Sequence, residues 1–501
     1  MEVKYPQTII KKSNGITSSE KYLAILCQKS FLSMWSYPNI YRDDGGKREG
    51  KEICDLLVIF ENNIIIFSDK KCTFPNSGNI QLDWGRWYYK TVKKSADQIW
   101  GAERWILKYP ERVFLDKKCL QKLPIDIPPM NEAKVHRVVV AHAASKQCIL
   151  QFGGSGSLMI VPGIVGDMHY ANKLSGCLPF AIGQVNPSKG YIHVFDDTTL
   201  QIVMETLDTI SDFVAYLEKK EIFINSGKLV SAAGEEELLG YYLPRLNSAG
   251  EHDFIVEPDI DGVVLCEGAW ENFVNDPQRK AQIKANEISY AWDALIEKFF
   301  KHLFAGTSYF LSHRNIAEQE KGFRFLARES RTRRRMLSEA FIRLVIETPP
   351  NMRATRTVLP SSKGDPYYIF LVLPKSESLE YEKYRNFREQ LIYNYCLITK
   401  LKFPEAVDII CIATEPGSNK GHSEDFGFFD ARNWTDENTK EAQDIEKEML
   451  EHGLFSKQIK RVGTYREYPE VELNRKVLKG SCRNKPCPCG SGKKYKKCCG
   501  S

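Results

Sequence analysis

The placement of cysteines constrains the fold of this chain more than any other feature. Of 14 cysteines in 501 residues, five fall within the last 20 residues and the others are scattered singly. In a reducing compartment such crowding indicates metal ligation, whereas isolated cysteines are typical of small buried apolar positions. The end of the chain therefore predicts a small metal-folded unit, attached to a body that has to build its own hydrophobic core.

The terminal cysteines have the spacing of one tetrahedral zinc site. Cys487 and Cys489 are separated by one residue, and Cys498 and Cys499 follow after eight more. Four thiolates suit Zn²⁺, and the metal supplies folding energy that so short a segment lacks. The run NKPCPCGSGKKYKKCCGS closely resembles the SEC-C motif, the zinc-binding tail of the preprotein translocase motor ATPase and of many unrelated proteins. The resemblance implies Zn²⁺ bound by these four cysteines.

Positive charge is concentrated in the same tail. Residues 473–501 contain nine Lys or Arg and no acidic residue, so that, with a net charge of +6 overall, the rest of the chain carries −3. A basic tail can dock on a protein, a ribosome or a nucleic acid, and the sequence does not choose among these. In the acidic body, contacts to nucleic acid have to come from local basic faces.

The body has the composition of a soluble multidomain protein. With 43% hydrophobic and 27% charged residues, it is unlike a disordered chain or a disulfide scaffold. No apolar run reaches the ~18–20 residues that cross a bilayer, and the first residues lack a secretory apolar stretch. We therefore expect a cytoplasmic protein without a membrane partner; the oligomeric state, including a homo-oligomer, stays open.

Apolar periodicity predicts an α/β fold class. At ~100–200 residues per domain, the length of the chain predicts several domains. A polar stretch at 247–253 is the expected linker. The segments are a first α/β unit at 1–150, which can extend to about 225, a mixed α/β and helical region at 151–325, a second α/β domain at 326–465, and the zinc motif at 480–501.

A β-hairpin in the first segment combines carboxylates with a lysine. Residues 53–60 and 64–70 are short β-branched and aromatic runs, as in paired strands. The first run contains Asp55, and Asp69 and Lys71 lie two apart on the second, so their side chains project from the same face. Metal-assisted phosphodiester hydrolysis needs these residue types on a rigid frame.

The loop of this hairpin decides which side chains meet. A three-residue loop at 61–63 places Asp55 opposite Asp69, whereas a two-residue turn at 62–63 pairs Asp55 with Lys70 and turns it to the other face. A shared carboxylate site therefore predicts the three-residue loop.

The order of helix, Asp-bearing strand, Asp-x-Lys strand, helix and strand resembles the PD-(D/E)XK nuclease superfamily. The resemblance implies a restriction-endonuclease-like mixed sheet flanked by helices. It also implies that Asp55 and Asp69 bind Mg²⁺ or Mn²⁺, and that Lys71 orients and activates the attacking water.

Two further residues follow from the same resemblance. Glu20, on the first helix, matches the outer acidic residue of many members, and Gln98, on the helix after the hairpin, matches a polar residue of several subfamilies. The sequence departs from the name-giving motif at Cys54, where that motif has Pro, and at Asp69, where Glu is commoner.

A structural interpretation of these charges stands beside the catalytic one, because Asp69 and Lys71 can simply end a strand in solvent. Asp55, however, is the only charged residue in 53–60. A carboxylate entering a buried strand is costly without a partner, which favours a functional site.

Two basic segments have alternative interpretations. Each segment can contact phosphates. Alternatively each has only a structural role: the aromatic and basic segment would pack its rings inward, and the arginine cluster would clamp domains together. The aromatic and basic segment comprises Trp84, Arg86, Trp87, Tyr88, Tyr89, Lys90, Lys93 and Lys94, and the arginine cluster comprises Arg328, Arg331, Arg333, Arg334 and Arg335.

Together these features predict a Mg²⁺-dependent nuclease, a phosphodiester hydrolase acting on DNA in preference to RNA. Fold-level analogy extends this prediction to bacterial defence against phage or plasmids. The alternative is a non-catalytic adaptor, with an inactive nuclease fold, that binds protein or ribosome through the zinc tail.

Overall fold

The structure, a computed structural model, describes residues 10–45, 48–170, 177–304, 316–417, 424–453, 465–469, 483–485 and 494–497. The predicted zinc ligands, Cys487, Cys489, Cys498 and Cys499, lie outside the described residues.

Helices and strands alternate along the described residues. The strands are β1 (Ser36–Arg42), β2 (Lys51–Phe60), β3 (Asn63–Lys71), β4 (Lys134–His142), β5 (Met159–Val165), β6 (Ala181–Gln184), β7 (Ile192–Asp196), β8 (Leu229–Ala232), β9 (Val263–Leu265), β10 (Ala354–Val358), β11 (Tyr367–Val372), β12 (Asp408–Thr414) and β13 (Asp425–Asp430). The helices are α1 (Ser18–Trp35), α2 (Ile80–Tyr88), α3 (Lys94–Lys108), α4 (Ser145–Phe152), α5 (Thr199–Thr206), α6 (Ile210–Asn225), α7 (Glu235–Tyr242), α8 (Ala269–Asn275), α9 (Pro277–Asn286), α10 (Tyr290–Phe304), α11 (Ile316–Arg328), α12 (Arg331–Glu347), α13 (Tyr381–Lys402) and α14 (Asp436–Glu451). A π-helical turn over Tyr89–Lys93 joins α2 to α3.

The first sheet has the strand order β1-β2-β3-β4-β7. Strands β1, β2 and β3 are antiparallel, whereas β4 runs parallel to both β3 and β7. Helices α1 and α3 pack against it. The prediction of a mixed sheet flanked by helices is thus confirmed at the level of an α/β fold. Because β3, β4 and β7 are parallel, their carboxyl ends lie at one edge, and antiparallel β2 begins at that edge.

The predicted loop of the hairpin is wrong. Strands β2 and β3 pair from Phe60↔Asn63 to Leu56↔Phe67, which leaves a loop of two residues instead of three. Glu61, the first loop residue, adopts a φ of 53°. A left-handed residue at this position closes a two-residue turn that matches the twist of the strands, and a glutamate gives no sequence signal for it.

Two further sheets follow along the chain. The middle region forms a four-stranded sheet with the order β6-β5-β8-β9. The second α/β region forms a sheet with the order β10-β11-β12-β13, in which β11 and β12 are parallel and the outer strands are antiparallel. Helix α13 packs on β12 and also contacts α14.

One hydrophobic core connects these regions. It extends from Leu23 on α1 through the first sheet to Phe426 on β13. The stretch at 247–253, the expected linker, forms a turn in which Leu246 bridges to His252 and Lys219 Nζ lies 2.8 Å from Asp253 Oδ2; its role as a domain boundary stays a prediction. The polar composition of the stretch reflects this turn.

The arginine cluster clamps elements together, as the structural interpretation predicted. Arg331 lies 2.8 Å from Asp208 and 2.7 Å from Asp293, and the fully buried Arg334 lies 2.6 Å from the same Asp293. The other three arginines also have partners: Arg328 pairs with Glu61, Arg333 donates to the Leu359 carbonyl, and Arg335 donates to Asn286. The cluster thus ties α12 to α10 and to the loop before α6.

Among the described helices, none combines the length and the apolar character needed to cross a membrane.

Candidate functional site

Asp55 and Asp69, two of the predicted catalytic residues, meet at the edge of the first sheet where β2 begins and β3 ends. Pairing between these strands stops at Leu56↔Phe67, although both strands continue. Beyond that point Asp55 Oδ2 accepts a hydrogen bond from the backbone N–H of Asp69 at 2.6 Å. The Asp55 carboxylate therefore takes the place of a ladder hydrogen bond, and the two aspartates become neighbours without the predicted register.

Asp69 is held by one oxygen only. Its side chain is fully buried, and Oδ1 accepts a short hydrogen bond from His142 Nε2 on the adjacent strand β4. The second oxygen, Oδ2, is buried without a hydrogen-bond partner in the part of the chain that the structure describes. A buried carboxylate oxygen costs free energy unless it is paired, and among the described residues nothing offsets this cost at Oδ2.

His142 also forms a hydrogen bond with a second carboxylate, that of Asp197. Its Nδ1 lies 2.7 Å from Asp197 Oδ1, and Asp197 Oδ2 accepts the backbone N–H of Ala143 at 2.6 Å. Burial disfavours the imidazolium, but hydrogen bonds to Asp197 and Asp69 raise the pKa of His142 to about 9. The result is a chain from Asp197 through His142 to Asp69 that fixes the orientation of the Asp69 carboxylate.

The hydrogen-bonded series Asp197–His142–Asp69 was not predicted, because its members are distant along the sequence. His142 is 73 residues from Asp69 and 55 from Asp197. The one available signal was position: His142 ends β4 and Asp197 directly follows β7, and parallel strands bring such ends together.

Negative charge accumulates around Asp55. Burial raises its pKa to about 7, and the charges of Glu52, Glu20 and Asp69 add to the effect, against the hydrogen bond from Asp69 N–H. Asn39 Nδ2 lies 2.9 Å from both Glu20 Oε2 and Glu52 Oε1, which links α1 to β2. We call Glu20, Glu52, Asp55 and Asp69 the acidic edge; Glu52 was not predicted.

The two remaining predicted residues have different positions. Lys71 is exposed and lies beside His142 in the β3–β4 register. Gln98 is exposed on α3, whereas its neighbours Ile99 and Trp100 are buried. The structure thus brings Lys71 to the end of β3 next to the acidic edge, and it records no bond between Gln98 and these carboxylates.

The chemistry of the donors suits a hard divalent cation. Among the described residues, no group of three or more His, Cys, Asp or Glu side chains is arranged to hold a metal. Mg²⁺, however, usually takes only one or two protein carboxylates and keeps several waters. Asp55 and Asp69, which are adjacent at this edge, are the residues that could hold such an ion.

The aromatic and basic segment lies next to this site and has two faces. Trp84, Trp87 and Tyr88 are buried, as the structural interpretation predicted, and Trp87 Nε1 donates to the His142 carbonyl at 3.0 Å. The cations of the segment are mostly on the outside: Arg86, Lys90 and Lys94 are exposed, while Lys93 pairs with Asp97 at 2.6 Å.

Comparisons with known proteins concern only short parts of the chain. Residues 483–501 match the SEC-C motif, which confirms that prediction; the motif is commonly zinc-binding. The protein translocase subunit SecA of Finegoldia magna is 67% identical over 33 residues, which are 6% of this chain and 4% of SecA. The uncharacterized protein YccF of Bacillus subtilis is 95% identical over 19 residues, 4% of this chain and 5% of YccF.

A third relative is likewise similar over a short segment only. The UPF0225 protein plu2503 of Photorhabdus laumondii is 94% identical over 18 residues, 4% of this chain and 11% of that protein. The chain thus spans 4%, 5% and 11% of the length of these three relatives. No solved structure matches the chain.

Proposed function

We propose that the first sheet carries a metal-dependent nuclease that hydrolyses phosphodiester bonds, with DNA as the preferred substrate. The observation that carries the proposal is the buried, unpartnered Oδ2 of Asp69 beside Asp55, whose pKa is raised to about 7. Two crowded carboxylates gain stability from a divalent cation, and a phosphodiester brings further oxygens to such an ion.

Each residue has a role that follows from its position. Asp55 and Asp69 would hold Mg²⁺, which when bound polarises the phosphate and favours ionisation of an attacking water. Lys71, exposed at the end of β3, places a cation where negative charge develops on the phosphate. His142 contacts Asp69, and Asp197 contacts His142, so these two act as positioning residues. Glu20 and Glu52 add negative charge from the side of α1.

Cleavage assays with full-length protein test this proposal. Wild type should cut single-stranded or duplex DNA in Mg²⁺ or Mn²⁺ and stop in EDTA, and Asp69→Ala and Lys71→Ala should each lower the rate by at least about 10²-fold, the scale of one lost electrostatic group. The exposed Asp126 provides the control variant Asp126→Ala, which should cleave as wild type. Wild type that cuts neither DNA nor RNA, or variants that cut equally well, would refute the assignment.

We further propose that the SEC-C tail binds one Zn²⁺ through Cys487, Cys489, Cys498 and Cys499. Support comes from the match over residues 483–501 and from the preference of Zn²⁺ for four thiolates. Metal analysis of purified protein should give one zinc per chain, and a Cys487→Ser, Cys489→Ser double variant should lose it. Unchanged zinc content in that variant would contradict the ligand set. Docking of the tail on protein, ribosome or nucleic acid stays a prediction, as does a role in defence.

A further inference from the structure

A groove lies on the outer face of α2, opposite the buried rings. It encloses about 260 Å³ and is lined by Leu82, Gly85, Arg86, Tyr89, Lys90 and Tyr170. The first five recur at helical spacing along α2 and the π-helical turn, so they form one stripe. Nothing in the nuclease chemistry proposed above uses this surface.

The walls and the floor of the groove suit a flat ring. Tyr89 is 45% exposed, and its ring centroid lies 5.5 Å from that of Tyr170 at an interplanar angle of 69°. Tyr170 is supported from behind, because Tyr88 stacks on it at 5.9 Å. Gly85 leaves the floor open, since a Cβ there would lie 3.3 Å from the Tyr170 carbonyl oxygen.

The rim of the groove is cationic. Arg86 and Lys90 line it, and Lys94 Nζ lies 5.9 Å from the Tyr89 ring centroid. Two carboxylates lie nearby: Asp167 accepts a short hydrogen bond from the Tyr170 hydroxyl, and Asp97 pairs with Lys93. Aromatic faces with guanidinium and ammonium groups beside them match a ligand that is both planar and anionic.

We propose that this groove binds a single-stranded stretch of nucleic acid, with a base stacked on the exposed ring of Tyr89 and its phosphates on Arg86 and Lys90. The proposal rests on the nuclease function, whose substrate it narrows. The groove accommodates one unstacked base, and a base exposes its flat face only when it is unpaired. Trp87, on the inner face of the same helix, donates to the carbonyl of His142, the residue that bonds Asp69, so helix α2 connects the groove to the proposed active site.

Binding measured without cleavage tests this inference. Fluorescence anisotropy in EDTA would follow a labelled 15-nucleotide single-stranded DNA and its duplex, with full-length wild type and three variants. Tyr89→Ala should weaken single-strand binding by about 5- to 150-fold, the range for one lost stacking contact. Tyr89→Phe, which keeps the ring, should bind as wild type. Arg86→Ala with Lys90→Ala should weaken binding and reduce the slope of log Kd against log salt by about 1.4, for two phosphate contacts on a single strand.

Matched controls separate the groove from the basic tail and from catalysis. Lys440 and Lys447 are exposed on α14, and their double alanine variant, which leaves the tail unchanged, should bind as wild type. Asp69→Asn, which removes a proposed metal ligand, should keep single-strand binding in EDTA. Absence of cleavage by wild type, with single-strand binding intact, would overturn the nuclease alone.

Three results would overturn the groove itself. The first is unchanged single-strand affinity in both Tyr89→Ala and the Arg86, Lys90 double variant. The second is an equal loss of duplex and single-strand binding in Tyr89→Ala, which would indicate a duplex surface. The third is competition by polyglutamate as effective as that by unlabelled single strand, which would indicate an acidic protein partner.

Discussion

The acidic edge of the first sheet and the arginine cluster of α12 both concentrate buried charge, but only one of them is internally neutralised. At the cluster, Arg331 and Arg334 share Asp293 at 2.7 and 2.6 Å. At the acidic edge, Asp69 Oδ2 has no partner among the residues described, and the pKa of Asp55 is raised to about 7. Since an unpaired buried charge is costly, the cluster stabilises the fold through its own ion pairs, whereas the acidic edge is the place where we propose that a cation binds.

The largest expected effect concerns the cluster. Asp293→Ala leaves two buried guanidinium groups without their shared carboxylate, so the free energy of unfolding should fall by about 3–5 kcal/mol. Urea denaturation measures this loss. Glu380, whose ion pair with Lys383 is exposed, is the matched control, and Glu380→Ala should change stability by less than about 1 kcal/mol. Similar losses of the free energy of unfolding in the two variants would show that the arginine cluster stabilises the fold no more than an exposed ion pair does.

The next effect sharpens the role of the positioning residues. His142→Ala removes the hydrogen bond that orients Asp69, and should weaken Mg²⁺ or Mn²⁺ binding by about 10- to 100-fold, the usual scale for an outer hydrogen-bonding partner of a metal ligand. Calorimetric titration of metal into the protein gives the affinity. The exposed His452 supplies the control His452→Ala, for which the affinity should not change. Equal affinities in wild type and His142→Ala would remove the positioning role.

The smallest expected effect is a gain in the free energy of unfolding, whereas Asp293→Ala should cause a loss. The pKa of Asp55 is about 7 in the folded chain, above its usual value of 3.8, so ionisation of this carboxyl opposes folding as the pH rises from about 4 through 7. In metal-free buffer at pH 8, Asp55→Asn should therefore raise the free energy of unfolding by about 1–2 kcal/mol, and the gain should disappear near pH 4. Urea curves at the two pH values measure it. A loss of stability at pH 8 would mean that Asp55 is a structural residue like Asp293.

The sequence predicted features that depend on neighbours along the chain. Helix α1 begins where the Thr17 side chain accepts the Glu20 N–H, and a threonine at this position is a typical helix start signal. The two strands of the hairpin also lie where the short β-branched runs predicted them. These elements follow from local periodicity and capping, which the sequence shows directly.

Features that depend on distant partners were not predictable. The choice between a phosphate-binding and a clamping arginine cluster depended on Asp208, which is 123 residues from Arg331. The hairpin register depended on the left-handed conformation of Glu61, a residue type that does not favour it. Asp55 and Asp69 nevertheless became neighbours, because the strands separate beyond Leu56 and a side chain replaces the backbone ladder.

Direct counting of Mn²⁺ at the acidic edge tests the central claim. Electron paramagnetic resonance of full-length, zinc-loaded protein titrated with Mn²⁺ should reveal a bound ion in wild type and in the exposed-site control Asp444→Asn, and its loss in Asp69→Asn. Folding of Asp69→Asn is checked by its urea curve. Equal Mn²⁺ binding by wild type and Asp69→Asn, or none by wild type, would contradict the account.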